Sequence, residues 1–281
     1  MRIFVEAVAV RGPGLNGWAA SRPVLAGAED YRAAPIEVPP SPLLPANERR
    51  RAVQTVKLAL ALGAEAFATA GREATETATV FTSSGGDGDT IHGILDVLAS
   101  GNRELSPTRF HNSVHNAPAG YWSIATRSHA PSTSLCCYDG SFAAGLLEAA
   151  VQATVENHAV ALIAYDLRYP EPLNAVRPIG GMFGTALVLV PAATTSTFAE
   201  IVVELRPSSG SASVMASAAL EELRRDIPTA RSLPLLAALA RASAETLIIE
   251  YVSGLDLTVT VAPIAIREAP RASRQEETTV A

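Results

Sequence analysis

The chain has 281 residues, 48% of them apolar and 18% charged, which excludes a disordered polymer and leaves room for one large domain or two small ones. A formal charge of −6 at pH 7 argues against a general nucleic-acid binder, which needs a positive footprint. No apolar run approaches the roughly 18 residues that span a bilayer, and aromatics at only 5% leave the core to Ala, Val, Leu and Ile.

The first segment, MRIFVEAVAV, carries a strand pattern over Ile3–Val10 and lacks the basic start of a signal peptide. A Pro/Gly-rich connection without regular period follows, and Pro35, Pro39, Pro40, Pro42 and Pro45 forbid helix there. Val53, Val56, Leu60 and Phe67 recur at helical spacing, which predicts a helix from about Asn47, as N-cap, to Thr69, stopped by Gly71. Thr77–Thr82 reads as a β-branched strand and Asp89–Leu98 as a helix behind the glycine loop Ser83–Gly88.

Ser141–Glu156 is small and apolar on nearly all faces, the mark of a helix packed tightly between layers. Ala159–Asp166 and Gly184–Val190 are continuous apolar runs, as in parallel strands covered on both sides. Alternation of this kind predicts a layered α/β fold with a mainly parallel central sheet. After Pro191 the pattern changes to a strand at Ile201–Leu205, helices at Val214–Arg225 and Leu233–Ala242, and strands at Thr246–Val252 and Leu257–Ala262. The expected division is 1–192, a closing α/β segment 193–265, and a disordered tail 266–281.

Chemistry-bearing residues are few. The glycine loop lacks the Lys of a P-loop, and Asp87 and Asp89 would repel phosphate, so a tight strand-to-helix turn is the expectation. Asp87, Asp89 and His92 form only a weak cation motif. His111 and His115 would share one face of a helix, but Asn112 stands where a zinc protease has Glu, and no metal site is expected. Cys136 and Cys137, the only cysteines, are adjacent and poorly placed to bridge each other, which fits a reduced, cytoplasmic setting. They lie just before the buried helix, where a helix dipole activates a thiol, although an inert buried thiol is the commoner outcome of such local sequence.

Four stretches carry a family resemblance: Pro45–Arg51 (PANERRR), Phe81–Gly88 (FTSSGGDG), Ser106–Trp122 (SPTRFHNSVHNAPAGYW) and Ser141–Ala149 (SFAAGLLEA). Over about residues 1 to 192 the chain resembles short β-ketoacyl-synthase-like proteins, the chain-length-factor-type subunits of aryl polyene pathways. The resemblance implies a thiolase-like fold, the N-terminal half of a ketosynthase, in which a strand–Cys–buried-helix unit carries the acyl thioester. Counting back from Gly145, the nucleophile position matches Cys137, with Cys136 one residue off. A ketosynthase takes its catalytic histidines, or a His and Lys set, from its second half. Here the five histidines, His92, His111, His115, His129 and His158, all precede residue 160, and no Lys follows Lys57. An acid/base group working at neutral pH is normally His, so the resemblance implies a catalytically silent subunit with a vestigial thiol; the alternative is an acyltransferase or minimal condensing subunit with Cys137 as nucleophile.

Silence implies a partner. Thiolase-like proteins pair through the strand before the cysteine, here about Ser132–Leu135, and a chain with half the usual core leaves apolar surface for another subunit to bury. The resemblance therefore implies a heterodimer with a full-length ketosynthase and indirect engagement of an acyl carrier protein, with no cofactor. Phe110, His111, His115, Asn116, Tyr121, Trp122, Ser134 and Phe142 are the candidates for interface or tunnel walls, core packing being the plain alternative for Tyr121, Trp122 and Phe142. Arg49, Arg50 and Arg51 form the most basic cluster, read first as a solvated helix turn.

Overall fold

A computed structural model of the protein describes residues 1–101, 104–208 and 210–264. In chain order the elements are β1 (Arg2–Gly12), β2 (Leu15–Asn16), α1 (Trp18–Leu25), α2 (Ala46–Arg51), α3 (Gln54–Ala70), β3 (Ala78–Thr82), α4 (Gly88–Ala99), α5 (Pro107–Asn112), α6 (Ala117–Thr126), β4 (Ser132–Leu135), α7 (Ser141–Val155), β5 (Val160–Asp166), α8 (Leu173–Val176), β6 (Phe183–Val190), β7 (Ala199–Pro207), α9 (Ala218–Asp226), α10 (Leu233–Arg241), β8 (Glu245–Val252) and β9 (Leu255–Pro263).

One mixed sheet runs β4-β3-β5-β6-β1-β7-β9-β8, with β2 paired to β1. The expected parallel arrangement is found where β3 pairs with β4 and with β5; from β5 to β8 every neighbour is antiparallel. The continuous apolar runs mark burial on both faces and carry no information on direction, which explains why β6 reads like β5 and yet runs the other way. The described residues after 192 join the same sheet: β7 pairs with β1, and the β8–β9 hairpin extends it. The expected tail, 266–281, lies outside the described residues.

Strand alternation divides the core into two layers. Ala161, Ile163 and Tyr165 of β5 join Val56, Leu60 and Phe67 of α3 and Tyr121 and Trp122 of α6. Val160, Leu162 and Ala164 face the other way, onto Phe142, Leu146, Ala149 and Ala153 of α7, with Leu235 and Leu239 of α10 in the same layer. The small face of α7 is required by this packing: a Cβ on Gly145 would stand 2.7 Å from Thr82 Cγ2 and 2.8 Å from Leu162 Cδ1.

Two sequence expectations need correction. The helix expected over Asn47–Thr69 is two helices, because Asn112 Nδ2 donates to the Arg51 carbonyl at 2.9 Å and Ala52 turns extended (ψ 121°). The cap positions are therefore Pro45 and Val53, not Asn47, although Gly71 does end α3 in the left-handed region (φ 65°). The connection before Pro35 holds a helix, α1, which tolerates Pro23 in its last turn and packs against α10.

Candidate functional site

The glycine loop is a turn whose every residue has an internal task. Gly85 and Gly88 lie under Tyr169: an added Cβ would meet its hydroxyl at 1.6 Å and its ring at 2.3 Å respectively. Gly86 adopts φ 69° beside His115. Asp87 caps α4 by accepting from the Thr90 amide at 2.8 Å and takes a second bond from the Thr55 hydroxyl at 2.8 Å. His92 pairs with Asp96 at 3.3 Å rather than with Asp87 or Asp89. Among the described residues no three or more His, Cys, Asp or Glu side chains gather as metal ligands.

Ser83 and Ser84 turn back onto the end of β5. Asp166, 2% exposed, accepts from the Ser84 amide and hydroxyl, each at 2.8 Å, and from the Ser83 hydroxyl at 3.2 Å. Its second oxygen accepts from the Thr229 amide at 2.9 Å and hydroxyl at 2.6 Å. Burial holds this carboxyl above the ordinary carboxylate range, and the donors on Thr229 and Ser84 offset only part of that rise. The result is a buried hub tying the glycine loop to the segment between α9 and α10. Sequence reasoning missed it, although an acid ending a fully buried apolar strand is a readable signal.

The cysteines sit where β4 runs out. Cys136 is exposed, and its thiol donates to the Ser84 carbonyl at 3.2 Å. Cys137 is half-buried, and its amide donates to Ser141 Oγ at 2.9 Å, which in turn donates to the Tyr138 carbonyl at 2.7 Å. Burial, and then Cys136, push the Cys137 thiol up, the opposite of the activation a helix N-terminus would supply. Tyr138 follows with φ 50°, a left-handed conformation costing a non-glycine residue about 1–2 kcal/mol.

That turn is held from outside. The Arg177 guanidinium stacks 3.7 Å over the Tyr138 ring and pairs with Asp139. Arg231 bridges Asp139 at 3.4 Å and Glu250 at 3.6 Å, and Arg224 adds a bond to Glu250 at 3.2 Å. Gly140 admits the Tyr251 carbonyl so closely that a Cβ would lie 2.2 Å from it. A cation–π contact and several half-buried ion pairs, about 0.5–1 kcal/mol each, are enough to offset the strain at Tyr138. These partners lie about 40 to 110 positions beyond the turn, and no local pattern announces them.

The remaining sequence candidates separate into two groups. Tyr121, Trp122 and Phe142 are core residues: Trp122 packs over Gly63 and lies 5.1 Å from the Phe67 ring, and Phe142 belongs to the α7 layer. Phe110 (66% exposed), His111 and Asn116 lie on the surface, with His111 edge-on to Tyr121 at 5.9 Å. Helix α5 ends at Asn112, so His111 and His115 do not share a helical face. His115, half-buried, instead meets the Leu135 carbonyl with Nε2 at 2.7 Å, which sets the Phe110–Trp122 block against β4. Ser134 lies within β4 itself, the edge strand of the sheet. Arg49, Arg50 and Arg51 are exposed on α2. No helix among the described residues is long and apolar enough to cross a membrane.

The family described as beta-ketoacyl synthase, N-terminal domain, matches residues 20–247. No curated protein sequence matches the chain. Among solved structures, the ketosynthase ApeO in complex with its chain length factor ApeC from Xenorhabdus doucetiae is similar at TM-score 0.69 and 20% identity, over 92% of this chain and 99% of that one. The ishigamide ketosynthase/chain length factor matches at TM-score 0.71 and 12% identity, over 94% and 99%. The AntDE:AntF complex, a type II PKS acyl-carrier protein in complex with its ketosynthase, matches at TM-score 0.66 and 11% identity, again over 94% and 99%. At these identities the likeness fixes the fold, which is thiolase-like.

Proposed function

We propose, from the premise that this chain belongs to the β-ketoacyl synthase N-terminal-domain family, that it is a catalytically silent, chain-length-factor-type subunit paired with a full ketosynthase. The pair elongates a polyene or fatty-acyl chain, of the aryl polyene kind, on an acyl carrier protein that this subunit engages only indirectly. The observation that carries the reading is the state of the thiol. Cys137 occupies the elbow ahead of α7, yet its thiol is pushed up, and no His or Lys stands anywhere in the sequence after His158. A cysteine without an imidazole base and without a depressed pKa is a poor acyl acceptor.

Pairing has its own support. Among the described residues no strand pairs with the outer edge of β4, and Leu95 and Leu98 on α4, Phe110 on α5 and Val114 in the turn after it expose apolar surface. The second reading, Cys137 as an acyl-accepting nucleophile, is favoured only by its place on the elbow. Replacing Cys137 by Ala separates the two. Product formation by the reconstituted pair is expected to stay within about twofold of the unaltered pair, whereas a covalent role predicts a loss of at least about 10⁴-fold.

A further inference from the structure

We propose that Asp139, Arg231 and Glu250, with Arg177 laid over Tyr138, form a clasp by which the elements after β5 hold the Cys137 turn shut and keep its thiol slow to react. Three observations converge on it. Tyr138 is held in a left-handed conformation (φ 50°) that nothing local in the Cys–Tyr–Asp sequence favours. The acid next to it, Asp139, takes two arginines from separate stretches, Arg177 and Arg231, and Arg231 continues to Glu250 on β8. Glu250 is the neighbour of Tyr251, whose carbonyl closes on Gly140 and whose phenol is raised by burial and then by the adjacent Cys137.

The charges in the network balance: Arg177, Arg231 and Arg224 against Asp139, Glu250 and Glu221. No surplus positive charge is therefore left to bind an anionic substrate or to draw the proton from the thiol, and the arginines act as fasteners. The same turn leaves Cys136 outside, exposed at the end of β4. The two neighbouring thiols thus differ in setting, Cys136 exposed with its thiol on the Ser84 carbonyl and Cys137 half-buried near Tyr251 of β8. Such a clasp has a purpose only within the silent-subunit reading on which it rests.

The test is alkylation of the full chain by iodoacetamide, a neutral reagent, at neutral pH. With Cys136→Ser the only thiol is Cys137; with Cys137→Ser it is Cys136. Cys137 is expected to alkylate at least about tenfold more slowly than Cys136. Adding Arg231→Gln to the Cys136→Ser chain is expected to bring its rate to within about threefold of Cys136, with the fold checked by circular dichroism. If that variant does not fold, raising salt from about 0.05 to 1 M supplies the same information without mutation, because screening weakens the half-buried pairs and should speed Cys137 relative to Cys136. Equal rates for the two thiols in the unaltered clasp would overturn it. So would a Cys137 rate that neither a folded Arg231→Gln chain nor high salt moves. Alkylation is read on this chain alone, so its failure leaves pairing intact, and failed pairing leaves the alkylation result standing.

Discussion

Substituting Pro for Ser134 is expected to abolish pairing with a ketosynthase while leaving this chain folded. On the inner side of β4 the Pro131 and Leu135 carbonyls accept from the Thr79 and Ser83 amides at 3.0 and 3.3 Å. Strand alternation then turns the N–H and C=O of Ser132 and Ser134 outward, where none of the strands among the described residues meets them. A partner that adds a strand there needs the Ser134 N–H. Proline removes that donor and puts a ring in the path of the incoming backbone, a cost of about 3 kcal/mol, or roughly 100-fold in affinity. The β3–β4 ladder itself is spared, because a proline on an edge strand is tolerated when its nitrogen faces out. Pull-down by a tagged ketosynthase, with circular dichroism of the free variant, checks this. Undiminished pairing by a folded Ser134→Pro chain would place the partner elsewhere.

Asp166→Asn is expected to cause a large loss of stability, although it changes one atom. The carboxylate accepts from two amides and three hydroxyls on both sides of the sheet's end. Hydroxyls can turn round to become acceptors, but the Ser84 and Thr229 amides cannot. Whichever way the Asn amide is placed, its NH₂ confronts one of those N–H groups, orphaning a buried donor and adding repulsion. The expected cost is about 3 kcal/mol, which at about 2–4 °C per kcal/mol in a chain of this size lowers the melting temperature by about 6–12 °C. Thermal unfolding followed by circular dichroism measures it; a shift under about 2 °C would mean that the hub is not closed in solution. The tie between the glycine loop and Thr229 also supports the clasp, since Thr229 and Arg231 share one short turn.

The fold was legible where local pattern and packing agree. Continuous apolar runs gave β5 and β6, Gly71 gave the end of α3, and the small-residue face of Ser141–Val155 gave the buried helix. What failed was set at a distance. The break between α2 and α3 depends on Asn112, about 60 residues away in sequence, taking the Arg51 carbonyl. The helix α1 was hidden by Pro23, whose lost hydrogen bond tertiary packing against α10 outweighs. Strand direction beyond β5 was hidden because a run buried on both faces looks alike in either direction.

Of the candidate site, the cysteine pair ahead of a buried helix was readable from local pattern, and the choice of Cys137 came from the family resemblance; the small Gly145 is what lets α7 approach Thr82 of β3 and Leu162 of β5. Which of the two cysteines is exposed was not readable, because it depends on Tyr251 and on arginines far along the chain. The aromatic candidates Tyr121, Trp122 and Phe142 serve the core, whereas Phe110, one of the chain's few aromatics, stays on the surface.

The most direct test of the silent-subunit account is native mass spectrometry of this chain co-expressed with the ketosynthase of its own pathway, after incubation with acyl-loaded carrier protein. The account predicts a one-to-one complex in which the acyl mass resides only on the ketosynthase. An acyl adduct on this chain that disappears in Cys137→Ala would contradict it and make the protein an acyl-transferring enzyme.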